Sequence, residues 1–267
     1  PARFATCEPT LAACRRRYDL TRHWRETEGI NKILQDPQPY FHYMKFYYPH
    51  YNAGRGRDGH VVAYTRPGEL NLKGLHDMGF DNDLLLRHWL FDKEYQWEVL
   101  CKGDDDARGI DVIDVKNVSL WDLMGSTLDF VKKTMAIGGN HYPNRAHRVF
   151  IVNASSTFTR IYGMLKAFIP KNTLERLKLI GEKQSDILEA LQEDIDLDQI
   201  PDYYGGGLSY DGYAGPNGND SCRFSSPETV GMCVHVHSIP EATFDGFDHC
   251  AYASVEEFNI DKRQGRL

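Results

Sequence analysis

The stretch RVFIVNASSTFTRIYGMLKAF (residues 148–168) turns from an apolar strand into an unusually apolar helix. RVFIVNA is typical of a buried strand, and one of Ser155, Ser156 or Thr157 is expected to cap the helix that follows. That helix carries one broad apolar stripe, made of Phe158, Ile161, Tyr162, Leu165, Phe168 and Ile169. The question is whether this stripe covers the protein's own core or a ligand that binds and leaves.

Periodicity alone favours a core helix, because helices on α/β sheets are normally apolar on one side. Two details favour a moving surface instead. Met164 widens the apolar arc, and methionine adapts its shape to changing neighbours. Gly163 lies in the middle of the helix, at a cost of about 1 kcal/mol relative to alanine.

Strand and helix patterns alternate on both sides of this stretch. Further strands are predicted at 60–66, 109–115 and 174–180, and further helices at 84–100, 119–137 and 182–194. This order predicts an α/β layer fold with a mostly parallel sheet. Residues 1–40 are expected to be helical and charged. After residue 204 a Gly- and Asn-rich loop is expected, followed by one strand-like piece at 230–238.

Composition excludes some functions. The 267 residues carry a net charge of -7, so a chain-wide attraction to nucleic acid is not expected. Six cysteines without a CxxC pair favour a reduced, cytosolic setting. No signal peptide or apolar run of about 20 residues is visible. The chain begins at Pro1 rather than at methionine, so a fragment of a longer protein is one interpretation.

GRGRDG (54–59) matches the dinucleotide motif GxGxxG to the letter. That motif must follow a strand and open a helix, because the helix N-terminus holds the pyrophosphate. Here aromatic residues and Pro49 precede the glycines, and a strand follows them. We therefore predict a glycine-rich turn, with a nucleotide site as the alternative.

Three other motifs suggest chemistry less strongly than structure. His235 and His237, with nearby cysteines, do not fit the spacing of a compact zinc site, so no metal site is predicted. The acidic run 104–106 is interpreted as a solvated loop. Ser155 lacks the glycines of a hydrolase nucleophile elbow, and an N-cap is the better interpretation.

The ordered segments YYPHY (47–51), DGHVVAY (58–64), HYPNRAHRVFIVNAS (141–155), LKAFIPKNTLERLKLIG (165–181) and IPDYYGG (200–206) resemble the CRAL-TRIO lipid-binding family. The similarity is greatest to its phosphatidylinositol/phosphatidylcholine transfer proteins. It implies a shortened helical segment at 1–40, a lipid-binding domain at 41–218 and an extension at 219–267. It also implies a sheet floor under an apolar pocket that a mobile gate helix closes, and the helix beginning near Ser155 occupies the gate position.

The resemblance implies a lipid headgroup site. Its basic pair falls on Arg16 and Arg17, although a run of three arginines is by itself more typical of a solvated cluster. The remaining positions match Asn144, where the family has glutamate, and Arg145, Thr173 and Arg176. Asparagine keeps a hydrogen-bond acceptor for an inositol hydroxyl but loses the charge-assisted component.

The resemblance also implies which residues line the pocket. Alternate residues of a strand lie on the same face of the sheet, and the resemblance indicates which face meets the pocket. The expected lining residues are Asp111, Tyr142, Val149, Ile151, Tyr162, Leu165, Leu177 and Leu179. Hydroxyl residues that the family uses for choline lipids are replaced by Gly109, Asp111, Gly138 and Ala63. Exchange of choline lipids is therefore expected to be lost or altered.

The resulting hypothesis is a non-enzymatic protein that binds and transfers a phospholipid, with phosphatidylinositol as the expected ligand. The bound phospholipid is the ligand, and no cofactor is expected. The protein is expected to work in the cytoplasm, with transient attachment to membranes. Two rivals stay open: an α/β enzyme, nucleotide-dependent or hydrolytic, and a lipid-sensing scaffold without transfer activity. No protein partner follows from the sequence.

Overall fold

The computed structural model describes residues 2–35, 44, 47–77, 79–119, 125–169 and 171–208, without the side chains of residues 2, 164, 165 and 168. The helices are α1 (Leu11–Thr27), α2 (Leu72–Asp77), α3 (Asn82–Tyr95), α4 (Gly125–His141), α5 (Ser156–Leu165), α6 (Lys171–Leu174) and α7 (Gln184–Leu191). The strands are β1 (His50–Arg55), β2 (Val61–Thr65), β3 (Gly109–Asp114), β4 (Ala146–Val152) and β5 (Leu177–Leu179). Short 3-10 turns are Ala2–Thr6, Ile30–Gln35, Pro67–Glu69, Lys166–Phe168, Leu197–Gln199 and Asp202–Tyr204, and a π turn, Gln96–Leu100, ends α3.

The five strands form one sheet in the order β1-β2-β3-β4-β5. β1 and β2 are antiparallel, whereas β2, β3, β4 and β5 run parallel to one another. The predicted mostly parallel α/β sheet is therefore confirmed, together with the predicted strands around residues 61, 109, 146 and 177. Among the described residues no helix combines the length and apolar character needed to span a bilayer.

Helix starts follow the sequence signals. Asp81 caps α3, its Oδ1 accepting a hydrogen bond from the Leu84 N–H at 2.8 Å. Ser155 caps α5 in the same way, its hydroxyl oxygen accepting from the Phe158 N–H at 3.1 Å. The predicted N-cap role of this serine is confirmed, and it explains why the apolar strand can pass into a helix within three residues.

Strand β1 corrects the sequence prediction, which placed no strand before GRGRDG. The segment HYNAGR lacks β-branched residues and carries a positive-φ glycine, so its strand character is weak from sequence. Gly54 has φ +68°, and a Cβ there would lie 2.3 Å from the Gln199 carbonyl oxygen, so only glycine fits. The antiparallel strand β2 follows the motif, and the predicted turn in place of a nucleotide loop is confirmed.

Several predictions fall outside the described residues. They are the domain end near 218, the extension 219–267, its strand at 230–238 and the His235 and His237 pair. The start of the helix predicted at 119 is only partly described, and α4 continues to His141, beyond its predicted end at 137. The acidic run 104–106 is an exposed loop, as predicted.

Candidate functional site

The two faces of the sheet are covered to different extents. On one face Val62, Tyr64, Ile110, Val112, Phe150 and Val152 are completely buried in the main core. The opposite face, here called the floor, consists of Ala63, Asp111, Ile113, Val149, Ile151, Leu177 and Leu179. Ile113 and Leu177 are only half-buried there, and Leu179 is 36% exposed. The floor is therefore apolar but incompletely covered by the protein.

The register confirms which residues share the floor. Val149 pairs with Leu177, and Ile151 pairs with Leu179, so these four predicted pocket residues lie on one face of neighbouring strands. Asp111 pairs with Val149 and belongs to the same face.

Helix α5 lies over the β4 side of the floor. Phe158 and Ile161 are 5% and 2% exposed, and Phe158 packs with Ile151 and Val115 in a cluster that Tyr162 and Leu177 border. Gly163 is exposed, and a Cβ there would meet nothing within 4 Å. The predicted pocket side chain of Leu165 lies outside the described residues. α5 thus contacts the floor through a small cluster of its own, separate from the main core.

Charged side chains occupy the floor near α3. Lys93 Nζ of α3 lies 3.6 Å from Asp111 Oδ1. The hydroxyl of the predicted pocket residue Tyr142 donates to Glu94 Oε1 at 2.7 Å, and Arg25 forms a bidentate pair with the same carboxylate at 2.9 and 2.8 Å. Burial and the Glu94 carboxylate raise the pKa of Tyr142 well above its usual value. Asp111 and Tyr142, two predicted pocket residues, are therefore both engaged with charged side chains of α3.

Three arginines lie at one edge of the sheet. Arg108, Arg145 and Arg176 each immediately precede a parallel strand, β3, β4 and β5 respectively. Because the amino ends of parallel strands meet at the same edge, the topology brings these residues together. The Arg145 guanidinium lies 4.3 Å from the Trp97 ring centroid and donates to the Ala107 carbonyl at 3.1 Å. Arg176 donates to the Ala146 carbonyl.

Arg3 joins this edge from the N-terminal turn. Its guanidinium donates to the Ala107 carbonyl at 2.6 Å and to the Asn144 carbonyl at 3.1 Å. Two arginines, Arg3 and Arg145, thus share one carbonyl acceptor. We call Arg3, Arg108, Arg145 and Arg176 the arginine edge.

The arginine edge brings four guanidinium groups together, and the carboxylates of Asp106, Asp104 and Asp105 act on Arg3 from the adjacent acidic run. Within the described part of the chain, none of its four members forms an ion pair. Burial lowers the pKa of Arg145, and the nearby Arg3 charge lowers it further. Burial likewise lowers the pKa of Arg3 and Arg176, and the charge of Arg108 adds to both shifts. Mutual repulsion of this kind is relieved by an anion.

Asn144 and Thr173 border the arginine edge. Asn144 has φ +55°, which asparagine tolerates better than most residues, and its amide donates to the Thr6 hydroxyl at 3.2 Å. Its Oδ1 accepts from the Asn172 amide at 3.3 Å. Thr173 is half-buried, and its carbonyl accepts the Arg176 N–H at 3.0 Å. Four of the six predicted headgroup residues are thereby brought to one edge of the sheet.

The other two predicted headgroup residues lie on α1. The Arg17 guanidinium donates to the carbonyls of Gly139 and Asn140 at the end of α4 and pairs with Glu8 at 3.0 Å. In this structure it caps a helix C-terminus, where positive charge is favourable. Arg16 is exposed and lines an open depression of about 550 Å³ between α1 and α4.

Some site residues were missed by sequence reasoning. Arg108 could have been found, because it directly precedes the strand predicted at 109–115. Arg3, Lys93 and Glu94 give no such signal, since their contacts join segments far apart in sequence.

The sheet thus combines one incompletely covered apolar face with a cationic edge. The model of the CRAL/TRIO domain matches residues 45–206, which is more than half of the chain. The chain therefore belongs to the CRAL/TRIO domain family, as its sequence resemblance implied.

Named relatives support this assignment. The chain is 28% identical over 193 residues to the phosphatidylinositol/phosphatidylcholine transfer protein SFH4 of Arabidopsis thaliana, covering 68% of this chain and 31% of that protein. It is 25% identical over 217 residues to the SEC14 cytosolic factor of Candida glabrata, covering 77% of this chain and 68% of that protein. The chain thus spans less than a third of the length of the first relative.

A solved structure supports the fold independently. The crystal structure of Sfh5 aligns with a TM-score of 0.57 and 14% sequence identity, covering 86% of this chain and 78% of that one. At this identity the similarity concerns the fold alone.

Proposed function

We propose that this protein binds a phospholipid non-covalently and moves it between membranes, and that phosphatidylinositol is the preferred ligand. The acyl chains lie on the floor beneath α5, and the phosphate lies at the arginine edge. One observation carries the proposal: an apolar sheet face that is partly exposed at Ile113, Leu177 and Leu179 adjoins four guanidinium groups that form no ion pair within the described residues.

The dimensions of the floor suit an acyl chain. Strand β4 starts next to Arg145 and continues through Val149 and Ile151 to Val152. Seven residues of parallel strand rise about 23 Å at about 3.3 Å each, whereas one leaflet of a bilayer has a hydrocarbon thickness of about 15 Å. A phosphate at the arginine edge therefore leaves enough floor for the chains.

The energetics explain why a cover is needed. A two-chain phospholipid carries about 30 methylenes, whose exposure to water costs roughly 25 kcal/mol at about 0.8 kcal/mol each. A carrier must keep these groups dry in transit and must open at the membrane. Helix α5 is the segment in position to do so, because among the described side chains its Phe158 packs on Ile151 of the floor in a small cluster separate from the main core.

Headgroup selectivity follows from the polar residues beside the arginine edge and from the charged pair on the floor. Asn144 and Thr173 offer uncharged hydrogen-bonding groups beside the arginine edge, which suits a phosphate followed by a ring of hydroxyls. The family resemblance implies a hydroxyl residue for choline lipids at the position of Asp111. Here that position carries a carboxylate paired with Lys93. A choline ammonium would meet the Lys93 charge there, so choline lipids are expected to be disfavoured.

The names of the relatives are consistent with this proposal, since they describe a transfer protein and a cytosolic factor. We accordingly place the protein in the cytoplasm with transient attachment to membranes. Its partners are then the phospholipid and the membrane surface.

Vesicle transfer tests the proposal. Donor vesicles contain labelled phosphatidylinositol and phosphatidylcholine, acceptor vesicles contain neither label, and the purified chain is added. We expect transfer of phosphatidylinositol to exceed that of phosphatidylcholine. No movement of either label, together with no lipid in the native mass spectrum, would reject the proposal. Binding without movement would support the scaffold alternative.

The enzymatic rivals are tested in the same preparation. Because the Ser155 hydroxyl caps α5, the Ser155→Ala variant should lose about 1 kcal/mol of stability yet still transfer lipid. If dinucleotides stabilise the protein and lipids do not, a nucleotide-dependent enzyme would be favoured over a lipid-binding protein.

A further inference from the structure

Three metal-ligating side chains converge in the interior, away from the arginine edge. His50 starts β1, and His88 and Asp92 lie on α3; they are 7%, 2% and 6% exposed. His50 Nε2 contacts Asp92 Oδ2, and His88 Nε2 lies 3.8 Å from the same oxygen. The three ligand atoms all lie within 4.8 Å of one another, so a single ion is within reach of all three after a small adjustment of the side chains.

A backbone contact fixes the orientation of His50. Its Nδ1 lies 2.6 Å from the Tyr48 carbonyl oxygen, which can only accept a hydrogen bond. Nδ1 of His50 therefore carries the hydrogen, and Nε2 of the neutral ring directs its lone pair at the Asp92 carboxylate. Two acceptors that face each other require a positive charge between them, either a proton or a metal cation. Histidine ligands of metals characteristically make such an outer hydrogen bond to a carbonyl.

The helix supplies the other two ligands with suitable spacing. His88 and Asp92 are four residues apart on α3, so their side chains project from the same face. The His50 and His88 rings have centroids 5.2 Å apart and meet edge to face at 79° rather than in a stack. The Tyr48 ring lies over His50 at 4.5 Å and closes one side with Phe130.

We propose that His50, His88 and Asp92 bind a divalent transition-metal ion, of which Zn²⁺ is the expected example. Two imidazole nitrogens and one carboxylate oxygen form a ligand set typical of Zn²⁺, whereas Mg²⁺ and Ca²⁺ require mainly oxygen ligands. The ion would join β1 to α3 and hold the edge of the sheet against the helix. This role is structural and does not depend on the lipid function.

The chain offers a matched control. Asp58, His60 and His147 form a second group of comparable composition, but Asp58 is exposed and both histidines are only half-buried. The His60 and His147 rings lie 4.2 Å apart at 45°. Because this group is open to water, substitution of His60 removes an imidazole without disturbing the buried site.

Zinc titration of the full chain tests the proposal. The protein is stripped with a chelator, Zn²⁺ alone is added, and bound zinc and the thermal midpoint are measured. We expect one tightly bound ion per chain and a higher midpoint. His50→Gln and His88→Gln should each weaken binding by about 100-fold or more, since loss of even an outer-contact residue costs about 10- to 100-fold. His60→Gln should leave the affinity unchanged.

Hydrogen exchange of the wild-type chain keeps the test decisive if those variants do not fold. Zn²⁺ should slow exchange in peptides from α3 and β1 but not in α7. Absence of zinc uptake by the wild-type chain would overturn the proposal and assign the positive charge to a proton. Loss of uptake in His60→Gln rather than in the buried variants would overturn it as well, by moving the site to the exposed group.

Discussion

Lys93 and Asp111 form an ion pair, 3.6 Å between Nζ and Oδ1, at the point where α3 crosses the floor. The carboxylate is about one-third exposed and the ammonium about one-quarter exposed. From sequence, a carboxylate on the floor is costly because no partner is evident. The structure supplies the partner from the helix. The pair keeps charge on the floor.

The Lys93→Met variant should shift lipid preference toward phosphatidylcholine. It leaves Asp111 facing the pocket, where the carboxylate can attract a quaternary ammonium. We expect the ratio of choline-lipid to inositol-lipid binding to rise about fivefold, the factor that ~1 kcal/mol for a partly exposed charge pair provides. Competition between the two lipids for the purified protein measures this ratio. Lys102→Met, at an exposed position, is the control; an equal rise in both variants would contradict the role of the pair.

Substitution at the arginine edge should weaken phosphate binding selectively. Arg176→Gln removes one guanidinium, and a hydrogen bond to a charged group contributes about 1.5–3 kcal/mol, so phosphatidylinositol affinity should fall about 10- to 100-fold. Binding of an uncharged fluorescent fatty ester should be unaffected. Arg57→Gln is the matched control, because Arg57 is exposed and pairs with Asp196 at 2.8 Å. Equal loss of both ligands in Arg176→Gln would indicate misfolding instead.

Two glycine substitutions, one in α5 and one in α4, distinguish an effect on helix stability from an effect on the movement of α5. Gly163→Ala in α5 and Gly138→Ala in α4 each place a Cβ where no atom lies within 4 Å, so each should stabilise the chain by about 0.5–1 kcal/mol. If α5 must move for lipid to leave, only Gly163→Ala slows transfer between vesicles, while equilibrium binding stays unchanged. Equal transfer rates in the two variants would mean that α5 does not limit release.

How far the sequence predicts this molecule depends on the range of the interactions. The α5 cap, the parallel sheet and the alternation that pairs Val149 with Ile151 and Leu177 with Leu179 follow from local patterns, and the structure confirms them. That both pairs share one face followed only from the family resemblance. Strand β1 could not be predicted, because its conformation depends on pairing with β2 and on the close approach of Gln199 to Gly54.

The polar contacts were the harder part for the same reason. Arg17 belongs to a basic run that suits a phosphate, yet it caps α4 through carbonyls more than 120 positions away in the chain. The buried trio of His50, His88 and Asp92 combines a helical spacing that is visible in sequence with a strand residue that is not. A spacing rule identifies groups on one element, whereas only the fold brings two elements together.

Acidification should destabilise the protein through His141. Its ring stacks on Trp24 with centroids 4.0 Å apart, and burial, with the charges of Arg17 and Arg25, lowers its pKa from 6.5 to about 4. The unfolded chain therefore binds a proton more readily, so this contribution is fully present above pH 6.5 and is lost as the pH falls toward 4. His141→Phe should flatten the fall in unfolding free energy across this window, measured by urea denaturation. His23→Gln removes an exposed imidazole and controls for the change in composition; an unchanged slope in His141→Phe would refute the assignment.

The proposed function requires that the acyl chains lie on the floor beneath α5, and photo-crosslinking measures their position directly. Phosphatidylinositol with a photoreactive group along one acyl chain is loaded into the full protein, irradiated, and the modified peptides are identified by mass spectrometry. We predict modification in β4, α5 and β5, at residues that include Val149, Ile151, Tyr162 and Leu177. Modification confined to the depression between α1 and α4, around Arg16 and Leu20, would contradict a lipid bound on the floor.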